Sequence, residues 1–424
     1  MYVSRPYWSP LSSPDNKRNP RHQSHAAERC WPSLRPSSEP PRHHQPKRNS
    51  SPGKRPIDMA AILARAGATA GGSLLRPQDL VAGAGRRRRN AAVVAAVTGT
   101  GPAVPQEGEL ERPAWSGETP LSRLVGALIA FKPLYSLMKL ASREVIIRTA
   151  EKSNIPWREM TKKVLESDVY QVFERIRDPN LVYPDYYLNP FHAYDEGNLS
   201  WLAAAEAEPA TMSIAKRAIP EATSIEEANQ IVRGNWLNAI EEHHLKYSGN
   251  CQINDVLDIG CSVGVSTRYL AEKFPSAKVV GLDLSPYFLA VAAQKEETLS
   301  RQNPIRWVHA NGEATGLPSD SFDLVSLAYV CHECPARAIT GLVKEAFRLL
   351  RPGGTIALTD NSPKSKVLQE LSPVLFTLMK STEPFLDEYY MLDLEETMRQ
   401  VGFVNVHSIL TDPRHRTVTA TVPY

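Results

Sequence analysis

Two acids and two glycines in the second half of the chain have the types and the spacing of a ligand site. Asp258 lies within the apolar run 256–259, Gly260 and Gly264 follow it at once, and Asp283 ends the next apolar run. Glycine readily adopts positive φ angles and lets a ligand approach the backbone. A carboxylate beside such a turn repels a diphosphate and attracts an ammonium group. The pattern therefore favours a zwitterionic ligand that lacks phosphate and carries an α-amino group.

The elements around these residues must bring both acids to one edge of a sheet. Residues 256–259 are predicted as a buried strand, and a helix is predicted to begin at Val265, behind the glycine turn. Residues 279–283 are predicted as the next strand, with Asp283 at its carboxyl end. In doubly wound sheets, ligands bind beyond the carboxyl ends of the strands, and an acid in this position accepts hydrogen bonds from the ribose hydroxyls.

This set of residues resembles the first two motifs of class I S-adenosylmethionine-dependent methyltransferases, with Ser262 where the family usually has a glycine. A third predicted strand leads into 311–318, which resembles the adenine-binding turn of the family. The resemblance implies S-adenosyl-L-methionine as the cofactor, and it assigns the adenine amino group to Glu313 and the ring to the N–H of Ala314. The cofactor-binding residues that we predict are Asp258, Gly260, Ser262, Gly264, Asp283, Leu284, Glu313 and Ala314.

The order of the later elements extends the resemblance over about residues 250–424. A helix with one apolar face covers 339–350, a fifth strand covers 355–359, and 404–410 with 417–422 resemble the closing hairpin of the family. The fold implied is an α/β, Rossmann-like, doubly wound sheet of seven strands in the order 3-2-1-4-5-7-6. Helices are expected on both faces, and a helical cap is expected before the sheet. The closest branch is the ubiquinone- and menaquinone-biosynthesis type.

Two side chains are candidates for catalysis. Methyl transfer from a sulfonium is an in-line displacement, in which the protein mainly aligns the acceptor and excludes water. The acceptor is expected beyond the carboxyl ends of the fourth and fifth strands, near residues 328–333 and 360–361. His332 is the candidate general base, because imidazole titrates near neutral pH; a capping hydrogen bond is its alternative role. Tyr329 is the second candidate, with lining of the pocket as the alternative.

Five aromatic residues between 183 and 194 precede the predicted sheet. Segments in this position often cover the active site in the superfamily that the chain resembles, and an aromatic cluster suits an apolar or aromatic acceptor. A hydrophobic plug without contact to the substrate is the alternative. The segment is also similar to that of uncharacterised methyltransferases of plants and cyanobacteria, which favours a plastid location.

The first quarter of the chain differs in composition from the rest. Residues 1–106 contain 17 Lys and Arg against 5 Asp and Glu, which leaves 32 basic and 41 acidic residues for the remainder. The basic excess thus belongs to residues 1–106, and the acidic remainder does not favour a nucleic-acid-binding function of the folded part. We predict a disordered leader over 1–58, which translation from Met59 would omit, and an Ala-, Gly- and Arg-rich transit peptide over 59–106. Import into the chloroplast is the prediction, and import into the mitochondrion is the alternative.

The remaining boundaries follow from composition. Residues 107–120 are predicted as a linker, 121–245 as the helical cap region and 246–424 as the methyltransferase domain. The apolar stretch 121–150 is interrupted by basic residues, so it is predicted to dock on the domain or to lie on a membrane surface rather than to span a bilayer. The five cysteines indicate neither a disulfide framework nor a metal site, since 331–334 has no second ligand pair.

The predicted function is methyl transfer from S-adenosyl-L-methionine to a small, apolar or aromatic plastid metabolite: a prenylquinone, a phenolic, a pigment precursor or a lipid. No obligate protein partner is expected. A catalytically idle methyltransferase-like binding protein is the first alternative. A dinucleotide oxidoreductase is the second, and it is disfavoured because Asp258 would face a pyrophosphate.

Overall fold

The computed structural model describes residues 105–424 except 118, 121–122, 125, 128–142, 193 and 251, and it describes only the backbone at 373, 374 and 378. The predicted leader, nearly all of the predicted transit peptide and the middle of the stretch 121–150 thus lie outside the described residues. In the part that is described, no helix combines the length and the apolar character needed to cross a membrane.

Seven strands form one sheet in the order β3-β2-β1-β4-β5-β7-β6, which confirms the predicted order. Strands β1 to β5 are parallel, and β7 runs antiparallel to both β5 and β6. The strands are β1 (Asp255–Ile259), β2 (Lys278–Asp283), β3 (Arg306–His309), β4 (Phe322–Ala328), β5 (Leu350–Asn361), β6 (Val404–Leu410) and β7 (His415–Thr421).

Helices alternate with these strands and cover both faces of the sheet. Before the sheet, helical residues 143–152 are followed by α1 (Trp157–Leu165), α2 (Val169–Ile176), a 3₁₀ turn (Asp185–Leu188), α3 (Trp201–Ala218) and α4 (Ile225–Tyr247). Within and after it come α5 (Val265–Lys273), α6 (Pro286–Glu297), a 3₁₀ turn (Cys331–Glu333), α7 (Ala336–Leu349), α8 (Lys366–Gln369), α9 (Pro373–Thr382), α10 (Leu386–Met391) and α11 (Leu394–Val401).

The region before the sheet divides into two parts. The α2 and α3 helices pack on α6 through Val169, Ala203 and Phe288, which places them over the carboxyl edge of the sheet as the predicted cap. Helix α4 instead buries Trp236 and Ile240 against β-strand residues and belongs to the helical layer on one face of the sheet. The cap in the structure therefore ends before α4.

Residues 107–117, predicted as a linker, lie against the domain. Glu107 forms a β-bridge with Ser365. The Trp115 indole is only 2% exposed, stacks on Phe376 with ring centroids 5.4 Å apart, and donates a hydrogen bond to the Leu368 carbonyl oxygen at 3.0 Å. Burial of this one large aromatic side chain contributes about 2–3 kcal/mol to the free energy of folding. This contribution holds the segment against the domain, although the residues around Trp115 are mostly polar or proline.

Candidate active site

A cavity of about 450 Å³ lies at the carboxyl edge of the sheet, beneath the cap. Its floor contains the ends of β1, β2 and β4, and its roof contains residues of the segment 186–217. The predicted residues Asp258, Gly260, Ser262, Asp283 and Leu284 all line it. Tyr329 and His332 line the same cavity, so the structure brings the predicted cofactor and acceptor ends together.

The turn after β1 uses left-handed backbone at three positions: Gly260 at φ 70°, Ser262 at φ 50° and Gly264 at φ 77°. A Cβ on Gly260 would lie 2.5 Å from the Val330 side chain, and a Cβ on Gly264 would overlap the Trp307 ring. Both glycines are therefore required by their own backbone conformation and by packing against protein side chains. The positive φ angles expected at the two glycines are confirmed, and the close approach of a ligand there stays a prediction.

The Asp258 carboxyl group is buried at the base of the cavity, 1% exposed. Its Oδ2 accepts a hydrogen bond from the Thr267 hydroxyl at 2.6 Å, whereas its Oδ1 has no hydrogen-bond partner among the described residues. Burial raises the pKa of Asp258 to about 6. A buried carboxylate oxygen without a partner is costly, and a cationic donor such as an ammonium group would remove that cost.

The Asp283 carboxylate is held in place from two sides. Its two oxygens accept hydrogen bonds from the backbone N–H groups of Ser262 and Ser285, each at 2.7 Å. The Tyr187 hydroxyl of the cap donates to Asp283 Oδ1 at 3.4 Å. Burial raises the pKa of Asp283 to about 6. The backbone contacts orient the side chain at the end of β2, where it lines the cavity.

The turn after β3 presents different residues from those that the resemblance indicated. Asn311 and Gly312 line the cavity. The Glu313 carboxylate accepts a hydrogen bond from the Tyr186 hydroxyl at 2.8 Å, and the Ala314 N–H donates to the Asn311 carbonyl oxygen at 3.0 Å. The roles of Glu313 and Ala314 in adenine binding stay predictions, with the Ala314 N–H occupied inside the turn.

His332 forms a close pair with an acid at the end of β5. Its Nδ1 donates to Asp360 Oδ1 at 2.7 Å, and its backbone N–H donates to Asp360 Oδ2 at 3.1 Å. Burial lowers the pKa of His332, but the Asp360 carboxylate outweighs burial and raises it to about 10. The Asp360 carboxylate thus favours the protonated form of His332, and the role of His332 as a general base stays a prediction.

Tyr329 stands in strained backbone with φ 63°, and its buried hydroxyl has no hydrogen-bond partner among the described residues. Its ring meets the His415 ring edge-on, with centroids 5.0 Å apart. Burial raises the pKa of the Tyr329 hydroxyl. Because its hydroxyl keeps its proton and its ring is fixed by packing, Tyr329 is consistent with a residue that lines the cavity.

Three further ionisable residues lie near His332. His192 of the cap, Glu333 and Glu383 line the same end of the cavity. His192 adopts φ 47°, and its N–H donates to the Thr382 carbonyl oxygen at 3.0 Å, which ties the cap to the residue before Glu383. Nitrogen and oxygen atoms of His192, His332 and Glu383 lie within 4.8 Å of one another, a set of atoms that also suits a metal ion.

Comparison with known proteins agrees with this geometry. A family profile described as a methyltransferase domain matches residues 256–354. The chain is 31% identical to the demethylmenaquinone methyltransferase of Lactococcus lactis over 183 residues, which is 38% of this chain and 70% of that protein. It is 32% identical over 157 residues to an uncharacterised methyltransferase of Synechocystis, covering 37% of this chain and 69% of the relative. It is 31% identical over 122 residues to the sterol 24-C-methyltransferase of Saccharomyces cerevisiae, which is 28% of this chain and 31% of that protein.

The chain belongs to the class I S-adenosylmethionine-dependent methyltransferases.

The residues of this methyltransferase fit its cofactor, S-adenosyl-L-methionine. The unpartnered Asp258 Oδ1 suits the α-amino group, and the Asp283 carboxylate, already oriented by two backbone N–H groups, suits the ribose hydroxyls. When bound, the cofactor supplies an electrophilic methyl group on a sulfonium. Asp258 and Asp283 would hold two parts of this molecule, and the same negative charges disfavour a pyrophosphate.

The residues of the methyltransferase that sequence reasoning missed come from outside the motifs. Asn311 and Gly312 line the cavity and directly precede the two predicted adenine contacts within the same turn. The other cavity residues outside the motifs lie in the cap, in the segment after α9 and in the turn before β7: Tyr186, Tyr187, His192, Arg217, Glu383 and Arg414. The aromatic cluster at 183–194 was the signal for the first three.

Proposed function

We propose that this methyltransferase methylates a small acceptor with an apolar or aromatic body, bound between the cap and the carboxyl ends of β4 and β5. One observation carries the proposal: the cofactor residues and the cap aromatics line a single continuous cavity. Its volume of about 450 Å³ lies in the range of small-molecule sites, about 300–1,000 Å³. Relatives named for demethylmenaquinone and for sterols support an apolar acceptor.

The residues of the chain contribute alignment and exclusion of water. Tyr186, Tyr187 and Phe191 cover the cavity with aromatic surface, so the acceptor is held where water is excluded. Holding an acceptor in line with a reactive group is worth several kcal/mol, because a bimolecular encounter becomes an intramolecular one. The cationic form of His332, fixed by Asp360, faces this space and favours the ionised form of an acidic acceptor, whose proton passes to solvent before the methyl group is transferred.

Transfer of label from a methyl-labelled donor tests the proposal directly. We expect the full-length protein, incubated with labelled S-adenosyl-L-methionine and a plastid extract, to move label into a compound that partitions into organic solvent. The matched control is the Asp283→Ala variant, which should transfer far less label at the same low donor concentration. Label found only in protein or nucleic acid would contradict a small apolar acceptor. Donor binding without any transfer would favour the idle binding protein.

Donor choice is the first specific prediction. S-adenosyl-L-methionine at 100 times its Kd should stabilise the full-length protein by about 2.7 kcal/mol, a clear rise in Tm. NAD and NADP should cause no rise, because Asp258 repels a pyrophosphate. Thermal melting with each ligand decides between them. A rise with NAD and none with the methyl donor would show that the donor site is misassigned.

We also propose import into the chloroplast, on the Ala-, Gly- and Arg-rich composition of residues 59–106 and the change in composition at Met59. A fluorescent fusion that begins at Met59 should enter plastids as efficiently as the full chain. The comparison is made by microscopy, with a fusion that begins at Gln106 as the negative control. If only the full chain enters, residues 1–58 are part of the signal.

A further inference from the structure

Two guanidinium groups lie at the acceptor end of the cavity, and protein acceptors satisfy little of their hydrogen-bonding capacity. Arg217, in the last turn of α3, and Arg414, in the turn between β6 and β7, both line the cavity. Among the described residues, the Arg217 side chain makes one hydrogen bond, from Nε to the Ser213 carbonyl oxygen at 3.3 Å. No hydrogen bond or ion pair of the Arg414 guanidinium is found in the same part of the chain.

The acids near these two arginines form no ion pair with them in the described part of the chain. The Asp412 carboxylate is occupied by His415, whose Nδ1 lies 2.7 Å from its Oδ2, and the Asp360 carboxylate is occupied by His332. Glu383 remains as the acid facing both arginines, and its Oε2 is buried without a hydrogen-bond partner among the described residues. Burial raises the pKa of Glu383. The Arg217 side chain is exposed and the Arg414 side chain is half-buried, so a ligand in the cavity can reach both guanidinium groups.

Both guanidinium groups therefore keep free hydrogen-bond donors at the cavity wall. The guanidinium fork matches the oxygens of a carboxylate or a phosphate with two parallel hydrogen bonds. The remaining wall at this end is largely aromatic and apolar, with Tyr186, Phe191 and Met379 among the lining residues. An anion attached to an apolar body would satisfy both features.

We propose that Arg217 and Arg414 form an oxyanion-binding subsite, and that the methyl acceptor is therefore an amphipathic anion, with an apolar or aromatic body and a carboxylate, phosphate or similar group. This inference rests on the proposed function, since it specifies the acceptor of the same cavity. Glu383 competes with the ligand anion for the two arginines, so the subsite contains its own internal counter-ion.

A pair of fluorescent probes with one skeleton tests the charge requirement. 8-Anilinonaphthalene-1-sulfonate and N-phenyl-1-naphthylamine differ by the sulfonate, and both fluoresce in apolar cavities. The full-length protein, saturated with S-adenosylhomocysteine to fill the donor end, is titrated with each. We expect the Arg217→Gln and Arg414→Gln variants to bind the sulfonate about tenfold or more weakly, the loss expected for a charge-assisted hydrogen bond. Binding of the neutral probe should stay the same.

Three further variants sharpen the result. Glu383→Gln should bind the sulfonate more tightly, because the competing carboxylate is removed. Arg175→Gln, on the exposed surface of α2, removes one positive charge outside the cavity and should leave both probes unaffected. Arg414→Lys retains the charge and should retain most of the sulfonate binding if Arg414→Gln does not fold.

Unchanged sulfonate binding in both arginine variants would overturn the inference, and so would equal weakening of both probes. Neither result bears on the methyltransferase activity itself. A wild-type protein that shows the thermal shift with S-adenosyl-L-methionine and transfers label, yet fails the probe test, loses only the anionic character of its acceptor.

Discussion

Replacing Asp283 with alanine will weaken the binding of S-adenosyl-L-methionine about 100-fold. In the proposed complex, the carboxylate accepts hydrogen bonds from two ribose hydroxyls, each worth about 1.5–3 kcal/mol when the acceptor is charged. A loss of about 3 kcal/mol corresponds to about two powers of ten in Kd. Isothermal titration calorimetry on the folded variant measures the change. Thermal melting without ligand must first show that the loss of the Ser262 and Ser285 contacts leaves the fold intact.

The matched variant is Glu313→Ala, which should weaken binding by less than about tenfold. Its carboxylate already accepts a hydrogen bond from the Tyr186 hydroxyl, and Asn311 and Gly312 form the cavity wall at this turn. One contact to a neutral amino group is weaker than two charge-assisted contacts. A larger effect at Glu313 than at Asp283 would mean that the ribose and adenine ends are assigned to the wrong residues.

Replacing His332 with alanine will lower kcat about 100-fold while the Kd of the donor stays near its wild-type value. The imidazolium is a fixed positive charge that keeps an acidic acceptor ionised, and loss of one preorganised electrostatic contact costs about 10²–10³ in kcat. Because Asp360 raises the pKa of His332 to about 10, the active, protonated form persists through neutral pH and is lost as the pH passes that value. The wild-type kcat should therefore be level from about pH 6.5 to 8.5 and fall near pH 10.

An Asp360→Asn variant separates this role from a purely structural one. Without the carboxylate the pKa of His332 falls, so the decline in kcat should move to lower pH, which a packing role would not cause. A wild-type profile that instead rises between about pH 5.5 and 7.5 would identify His332 as a neutral general base with an ordinary pKa. That outcome would contradict the electrostatic role and restore the base assignment made from sequence.

Much of the donor end could be predicted from the sequence because its determinants are local. Asp258, Gly260 and Gly264 lie within seven consecutive residues, and a buried strand followed by left-handed turn residues has few alternatives in backbone conformation. Asp283 ends the neighbouring strand, and the parallel register brings it to the same edge. The strand order followed from the resemblance to the family.

The acceptor end was decided by tertiary structure. His192, Arg217, His332, Glu383 and Arg414 are far apart in the sequence, and they meet only because the cap folds back over the carboxyl edge and the 192–382 backbone contact holds it there. The pKa of His332 depends on Asp360, which comes from a different strand. Local sequence patterns record burial and turn geometry within a few residues. The pairing of charges across a cavity depends on how distant segments pack, so it cannot be predicted from a local sequence pattern.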